Sequence, residues 1–299
     1  MGNDALKTFI EIGERRLRGG SLTPEQYLCI GRMLEEGSLD AEAMEGLRAG
    51  TLEYQQALDS RYRWEQEAAT LSYGRAWSGV LPISDQIQVL QTHVSTFDAS
   101  SVIKRAQEVG SRAWPRPHGI GIHVRPTLKA LASALDVSKR DWPLENQALL
   151  SIIRILKRTR NDVTDEANER YCPDYCRFDP SCVQHLLEMD GRCSGNLVVF
   201  LAQLGMYYRG FSPRRARIFY TSTERGLDPI SAACILLTHP TRLCADDCLW
   251  MDCSGATHKG VPWSFSWRDG TLRFPTSTDF GRDKNPDFSR SGTATYHVV

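Results

Sequence analysis

Apolar residues recur every three or four positions through much of the first half of the chain, which is the pattern of amphipathic helices. The pattern predicts helices over roughly residues 84–95, 100–109, 127–135 and 144–158, and a long polar helix over roughly residues 52–76. Thr23 followed by Pro24 marks another helix start, because proline suits the first helical position. The Pro- and Gly-rich stretch Trp114–Gly121 predicts a loop. We expect a domain boundary there, between a helical N-terminal region of residues 1–115 and a second domain of residues 116–299.

Within the second domain the pattern changes from helical to strand-like. Cys182–Met189 has helical spacing, and the Gly-flanked turn Gly191–Asn196 leads to the apolar run Leu197–Leu204, which we interpret as another helix. Beyond that run, β-rich or continuous apolar segments predict strands over residues 216–221, 232–239 and 248–252.

A hairpin signal near the end of the chain indicates a sheet. Asp269-Gly270 lies between the β-rich runs Pro262–Arg268 and Thr271–Phe274, and this dipeptide favours a tight turn between antiparallel strands. The order of elements therefore predicts an α+β protein, in which a helix that begins at Cys193 packs on an antiparallel sheet.

The charge balance narrows the classes of partner. Lys plus Arg and Asp plus Glu both number 36 in 299 residues, so the net charge is zero, and this argues against a broad surface for nucleic acid or anionic membranes. No apolar run approaches the length of a membrane span, and the charged N-terminus argues against a secretory signal. The nine cysteines, an odd number, fit reduced thiols in a cytoplasm better than a disulfide framework. We therefore expect a cytoplasmic protein that binds neither nucleic acid nor membrane.

Cys193 is the first candidate for chemistry. At the start of the predicted helix it would lie near unpaired backbone N–H groups and the positive end of the helix dipole. Both favour the thiolate, which is the nucleophilic form of cysteine. The alternative is a small buried apolar residue, the commonest fate of a free cysteine.

His239 and Asp252 complete a candidate triad. They are thirteen residues apart and fall on neighbouring predicted strands, so a hairpin would set the carboxylate against one imidazole nitrogen and leave the other for the thiol. A thiol needs a base to ionise it, and the base needs a partner that fixes its tautomer. Taken singly, His239 has the alternative of a strand-end histidine bonded to backbone, and Asp252 that of a turn or cap residue.

The stretch Cys182–Gly255 resembles the core of the transglutaminase-like superfamily, within the broad papain-like group. The motifs that carry the resemblance are Gly191-Arg192-Cys193, Leu204-Gly205-Met206 followed by Arg209, His239, and Trp250-Met251-Asp252. They span about a quarter of the chain. The resemblance implies a papain-like cysteine catalytic domain, with Cys193 as the nucleophile, His239 as the base and Asp252 as the acid that orients it.

The reaction that this implies is acyl transfer or amide hydrolysis through a thioester. The oxyanion would be held by the backbone N–H of Cys193 and one further donor, for which Gln184 is a candidate. The substrate would be a peptide, a protein or a small molecule with an amide or thioester, and we expect no cofactor and no metal. The superfamily includes proteases, deamidases, crosslinkers and amide-forming enzymes, so the fold does not fix the substrate.

The cysteines outside the candidate triad leave open the alternative of a structural zinc site. A Cys-rich loop and a second close pair offer soft ligands for a structural zinc: Cys172, Cys176, Cys182, His185, Cys244 and Cys248. With zinc there, the protein would be a non-catalytic binding or scaffold protein of the same fold.

Four arginines follow the predicted helix: Arg209, Arg214, Arg215 and Arg217. They form either a solvated face or an approach to the thiol that favours an acidic or carrier-bound substrate.

Overall fold

The computed structural model of this chain describes residues 68, 71–94, 98–111, 120–135, 141–163, 173–174, 176–193, 195–221, 223–258, 261–274 and 290–297. The predictions for residues 1–67, including the helix start at Thr23, lie outside these residues. The domain boundary predicted at residue 115 falls in the gap between residues 111 and 120 and stays a prediction.

Seven α-helices occur in the described part of the chain. They are α1 (Ile83–Gln91), α2 (Ala99–Gly110), α3 (Leu128–Ala134), α4 (Leu144–Thr159), α5 (Pro180–Arg192), α6 (Pro213–Ile218) and α7 (Pro229–Thr238). The first five confirm helices that the sequence pattern predicts.

Eight strands form one sheet. They are β1 (Ile120–Pro126), β2 (Cys176–Phe178), β3 (Leu197–Gln203), β4 (Glu224–Gly226), β5 (Trp250–His258), β6 (Val261–Arg268), β7 (Thr271–Arg273) and β8 (Ser291–His297). The main order is β1-β3-β8-β5-β6-β7, with β2 paired to β5 and β4 paired to β8. The pair β5–β8 is parallel and the other described pairs are antiparallel. The molecule is therefore of mixed α+β class, as predicted.

Helix α1 covers the outer edge of β1, the first strand in the sheet order. Gln86 is fully buried, and its amide nitrogen donates to Ile122 O at 3.0 Å. The backbone N–H of Val124 donates to the Gln86 side-chain oxygen at 3.1 Å. One glutamine thereby satisfies two backbone groups that an edge strand would otherwise leave unpaired.

The turn between β6 and β7 confirms the predicted hairpin. Asp269 has φ 52° and Gly270 has φ 72°, which is the pair of left-handed conformations that a type I′ turn requires. Glycine adopts this conformation without strain, and Asp tolerates it better than most residues.

Four predicted elements are wrong in type. The run 197–204, predicted as a helix, forms strand β3. The run 216–221, predicted as a strand, begins in α6 and continues past its end. The run 232–239, also predicted as a strand, lies in α7 except for its last residue. Residues 71–76, predicted as the end of a long helix, are irregular, and Ser72 O there accepts a hydrogen bond from Leu249 N. Strand β3 pairs with β1 and β8 on its two edges. Such an inner strand has a continuous apolar sequence, which periodicity cannot distinguish from a buried helix.

A signal for three of the helices is present in the sequence. Helices α5, α6 and α7 each begin with a proline that follows a capping residue, namely Asp179, Ser212 and Asp228. Each capping side chain accepts a hydrogen bond from a backbone N–H of its own first turn. This is the combination that favours a helix start.

A buried ion pair holds α5 against the sheet. The guanidinium of Arg125 on β1 is fully buried and lies 2.8 Å from Asp190 Oδ1 on α5. The other carboxylate oxygen of Asp190 accepts a hydrogen bond from Leu128 N, at the first residue of α3, at 2.7 Å. Asp190 thereby links a strand and two helices.

We expect Arg125→Met to destabilise the fold by about 3 kcal/mol, because it leaves the Asp190 carboxylate half-buried without its cation. Urea unfolding followed by circular dichroism measures the change. Arg158→Met, at an exposed position of α4, is the matched control and should change the free energy of unfolding by less than about 0.5 kcal/mol. Equal effects of the two substitutions would contradict a structural role for the pair.

Candidate active site

Cys193 lies at the C-terminal end of α5, which corrects its predicted place at the start of a helix. Its Sγ lies 3.0 Å from Asp190 O and 2.9 Å from Gly195 O, so the single proton of the thiol is shared between two carbonyl acceptors. The chain then enters β3 at Leu197. Because a helix C-terminus is the negative end of the dipole, the helix field at the thiol has the opposite sign to the predicted one.

His239 ends α7 and does not lie on a strand. Its Nε2 accepts a hydrogen bond from Leu81 N at 2.9 Å, so in the neutral ring Nδ1 carries the proton. Nδ1 lies 2.8 Å from Thr238 Oγ1 and 3.2 Å from Ile235 O. Burial lowers the pKa of His239 to about 4. Both ring nitrogens are therefore engaged, in a neutral ring.

Asp252 lies on strand β5, as predicted, but its strand neighbours differ from the predicted ones. Its Cα pairs with Ser264 on β6 and with Thr293 on β8. The side chain is buried, and burial raises its pKa to about 7, while a hydrogen bond with Ser291 lowers it. A hairpin between Asp252 and His239 does not form, because His239 is the residue that caps the C-terminal end of α7 and lies on no strand.

The predicted triad is not assembled in the described structure. Cys193, His239 and Asp252 each have hydrogen-bond partners, and none of these partners is another member of the three.

Cys193 instead shares a cavity with two other histidines. The cavity has a volume of about 140 Å³ and lies between α2, α5 and β3. His185 on α5 and His297 on β8 line it together with Cys193. This places a thiol and two imidazoles on the walls of one small space.

His297 is backed by a buried carboxylate. Glu224 on β4 and His297 on β8 are directly opposite each other in the sheet, and His297 Nε2 lies 3.7 Å from Glu224 Oε1. Both side chains are 1% exposed. The second oxygen of Glu224 accepts hydrogen bonds from the Tyr208 hydroxyl at 3.0 Å, Thr221 N at 2.8 Å and the Thr221 hydroxyl at 3.0 Å. These donors hold the carboxylate in place beside the imidazole.

His185 forms a wall of the cavity. Burial lowers its pKa to about 4, so the ring is neutral at pH 7. Its ring packs edge-on against Tyr296, with the centroids 5.3 Å apart. His185 precedes Cys193 by eight residues, which is about 12 Å along a helix axis. His297 lies opposite Leu201, four residues into β3 from Leu197, which is about 13 Å along the strand. The feature that distinguishes His297 from His185 is the buried Glu224 carboxylate beside it.

The predicted oxyanion donors are engaged elsewhere. Gln184 donates to Glu188 on the exposed side of α5, at 3.0 Å. The backbone N–H of Cys193 donates to Asp190 O at 3.4 Å. Neither group is free to hold an oxyanion in this conformation.

The four arginines do not form one surface. Arg215 is buried, with its guanidinium 5.2 Å from the Phe211 ring and 5.8 Å from the Phe219 ring. Arg217 donates to Ser254 O and lies 3.8 Å from Asp179. Arg209 and Arg214 are exposed. The interpretation of all four as an approach for an acidic substrate is therefore wrong for Arg215 and Arg217, which stabilise the fold.

The cysteines proposed as zinc ligands are dispersed. Cys176 is buried on β2, Cys182 is buried in α5, and the Cys244 thiol hydrogen-bonds with that of Cys248. Cys172 lies outside the described residues. Within those residues, no group of three or more side chains of His, Cys, Asp or Glu could hold a metal ion.

Comparison with known proteins identifies no relative: no protein-family model, no curated protein and no solved structure matches this chain. Among the described helices, none has the length and apolar character to cross a membrane. Any chemical assignment must therefore be made on the geometry of the cavity.

Sequence reasoning missed His297 and Glu224 as a pair. They are 73 positions apart (297 − 224) and meet because β4 pairs with β8. A partial signal exists, because the β-branched and aromatic residues from Thr293 to Val299 favour a strand. Nothing in the spacing indicates which strand would pair with it.

We expect Asp252→Asn to stabilise the protein above pH 7 by an amount on the order of 3–4 kcal/mol and to have little effect below pH 4. The pKa of Asp252 in the folded protein, about 7, lies above the value of 3.8 that an aspartate has in an unfolded chain. The wild type therefore loses stability as pH rises between these two values, because the unfolded chain ionises first. Urea midpoints from pH 4 to pH 8 test this, with exposed Asp246→Asn as the control. Parallel pH curves for the wild type and Asp252→Asn would contradict it.

Proposed function

We propose that this protein is a cysteine-dependent enzyme of acyl transfer or amide hydrolysis, with Cys193 as the nucleophile and His297 as its base and acid. One observation carries the proposal: a thiol and an imidazole line the same cavity, and a buried carboxylate lies behind the imidazole. A nucleophile, a base and a group that orients the base are the parts that such catalysis needs. We keep the cysteine chemistry that the transglutaminase-like resemblance implies, and we assign the histidine and the carboxylate anew.

The papain-like arrangement is realised differently under this proposal. In the arrangement that the resemblance implies, the cysteine begins a helix, whereas Cys193 here follows α5 and precedes β3. The same catalytic constellation occurs on unrelated folds. The chemistry therefore does not require the papain-like order of elements.

Glu224 fixes the tautomer of His297 in this proposal. Because Nε2 faces Glu224, it carries the proton in the neutral ring, and Nδ1 accepts the proton of the thiol. The thiolate then bonds to the carbonyl carbon of the substrate, His297 gives the proton to the leaving group, and the bond from carbon to the leaving group breaks. Water or an amine then attacks the thioester carbon, the bond from carbon to sulfur breaks, and the proton of the attacking group returns through His297 to the sulfur.

A movement at Cys193, the residue that follows α5, precedes the chemistry. The thiol donates to Asp190 O and Gly195 O, and no hydrogen bond joins it to His297 in the described structure. Catalytic hydrogen bonds are often long in the absence of substrate and tighten when it binds. The thiol must leave its two carbonyl acceptors to reach the imidazole and the substrate carbonyl.

A second candidate function is ligand binding without catalysis. The two carbonyl acceptors of the thiol favour it, because they hold the Cys193 proton in a position at the negative end of a helix. In that case the cavity holds a ligand, and the thiol packs against it.

We expect p-nitrophenyl acetate to acetylate Cys193, because an activated ester needs no leaving-group acid. Intact mass and peptide mapping detect the acetyl thioester, and Cys193→Ala should show none at that peptide. His297→Asn should slow acetylation by about 10²- to 10⁴-fold through loss of the base. Glu224→Gln should slow it less, because the imidazole remains but is no longer oriented by a carboxylate.

His93→Asn is the matched histidine control, because His93 lies away from the cavity, against the hydroxyl of Thr159. Its acetylation rate should equal that of the wild type. Circular dichroism establishes that each variant is folded. Acetylation of Cys193 at an unchanged rate in His297→Asn would remove His297 as the base, and an absence of acetylation in the folded wild type would favour the binding function.

A further inference from the structure

The charged side chains that line the cavity are all of one sign. Arg105 on α2 and Arg192 at the end of α5 are lining residues, and no Asp or Glu is among them. Each arginine has an acidic neighbour on its own helix, Glu108 at 3.2 Å and Glu188 at 3.8 Å. These carboxylates do not line the cavity. Both pairs are well exposed, so water screens them and a ligand competes for the guanidinium groups at little cost.

The rest of the cavity lining combines apolar side chains with Ser101, Cys193 and the two histidines. Val102, Met189, Leu197 and Phe200 lie on the three elements that enclose it. The volume of about 140 Å³ is close to that of an apolar cavity that holds one benzene molecule, roughly 150 Å³. It suits an apolar group of about six carbon atoms.

We infer that the cavity takes a small substrate with an apolar body of about six carbons and an anionic group, which Arg105 and Arg192 recognise. The apolar body packs between α2, α5 and β3. Guanidinium groups bind carboxylates with two parallel hydrogen bonds and therefore favour a carboxylate over a neutral amide of the same shape. The role of this molecule as substrate, and not only as ligand, rests on the proposed function of Cys193.

Hexanoate and hexanamide test the inference, because they have the same apolar body and differ in the charge of the head group. Titration calorimetry is carried out on the full chain carrying Cys193→Ser, at low salt, so that binding is measured without the nucleophile. We expect hexanoate to bind at least tenfold more tightly than hexanamide. The preference should fall toward unity as salt is raised, because exposed charges are screened.

Arg105→Gln and Arg192→Gln should each reduce the preference for hexanoate, and the double variant should abolish it. Arg158→Gln, at an exposed position outside the cavity, should retain it. Equal binding of the two compounds, or a preference that persists in the double variant, would overturn the inference. Because Cys193→Ser has no nucleophile, this result is independent of the acetylation experiment, and either can fail while the other stands.

Discussion

The ion pair between Arg125 and Asp190 sets the position of the candidate nucleophile. The Asp190 carboxylate pairs with the Arg125 guanidinium and accepts a hydrogen bond from the first N–H of α3. The carbonyl oxygen of Asp190 accepts hydrogen bonds from the thiol and the backbone N–H of Cys193. A buried charge is tolerated when it is paired and hydrogen-bonded, and removal of one partner is costly. The last turn of α5 is therefore anchored to β1 and to α3 through Asp190, and Cys193 follows directly after that turn. The place of Cys193 on the cavity wall follows from that constraint.

Elements with a clear period or a clear terminus could be predicted from the sequence. The stripe of apolar residues in α4 and the Asp269-Gly270 turn are local signals, and both are confirmed. The runs that form β3 and α7 are apolar on all sides, because one is an inner strand and the other a fully buried helix. Their periodicity therefore carries no information, and only the cap Asp228-Pro229 and the β-branched Val198-Val199 distinguish them.

The residues of the candidate site differ in the same way: some are marked by neighbours in the sequence, and others meet only through contacts between distant segments. Cys193 could be singled out because Gly191 and Gly195 flank it in the sequence, although the run after it forms strand β3 and not the predicted helix. His297 and Glu224 meet through the pairing of β4 with β8, and the cavity exists because α2 and α5 lie over β3. Which distant strands pair depends on how well the two faces of the sheet pack against the rest of the fold. The spacing between two residues in the sequence does not contain this information.

The electrostatics around Cys193 connect the proposed chemistry to the ligand. The carbonyl groups at the end of α5 face the thiol, and Arg192 in the last turn partly offsets their negative field, as cations at helix C-termini do. Glu188 shares that positive charge at 3.8 Å. The field that would favour a thiolate is therefore weak in the empty cavity, and an anionic substrate bound at Arg192 would weaken it further. In the proposed mechanism, activation of Cys193 therefore depends on His297, which lies on the sheet beside Glu224 and not on the helix. Under the proposal the nucleophile and the base lie on separate elements, so Cys193 must leave its two carbonyl acceptors and approach His297 when the substrate binds.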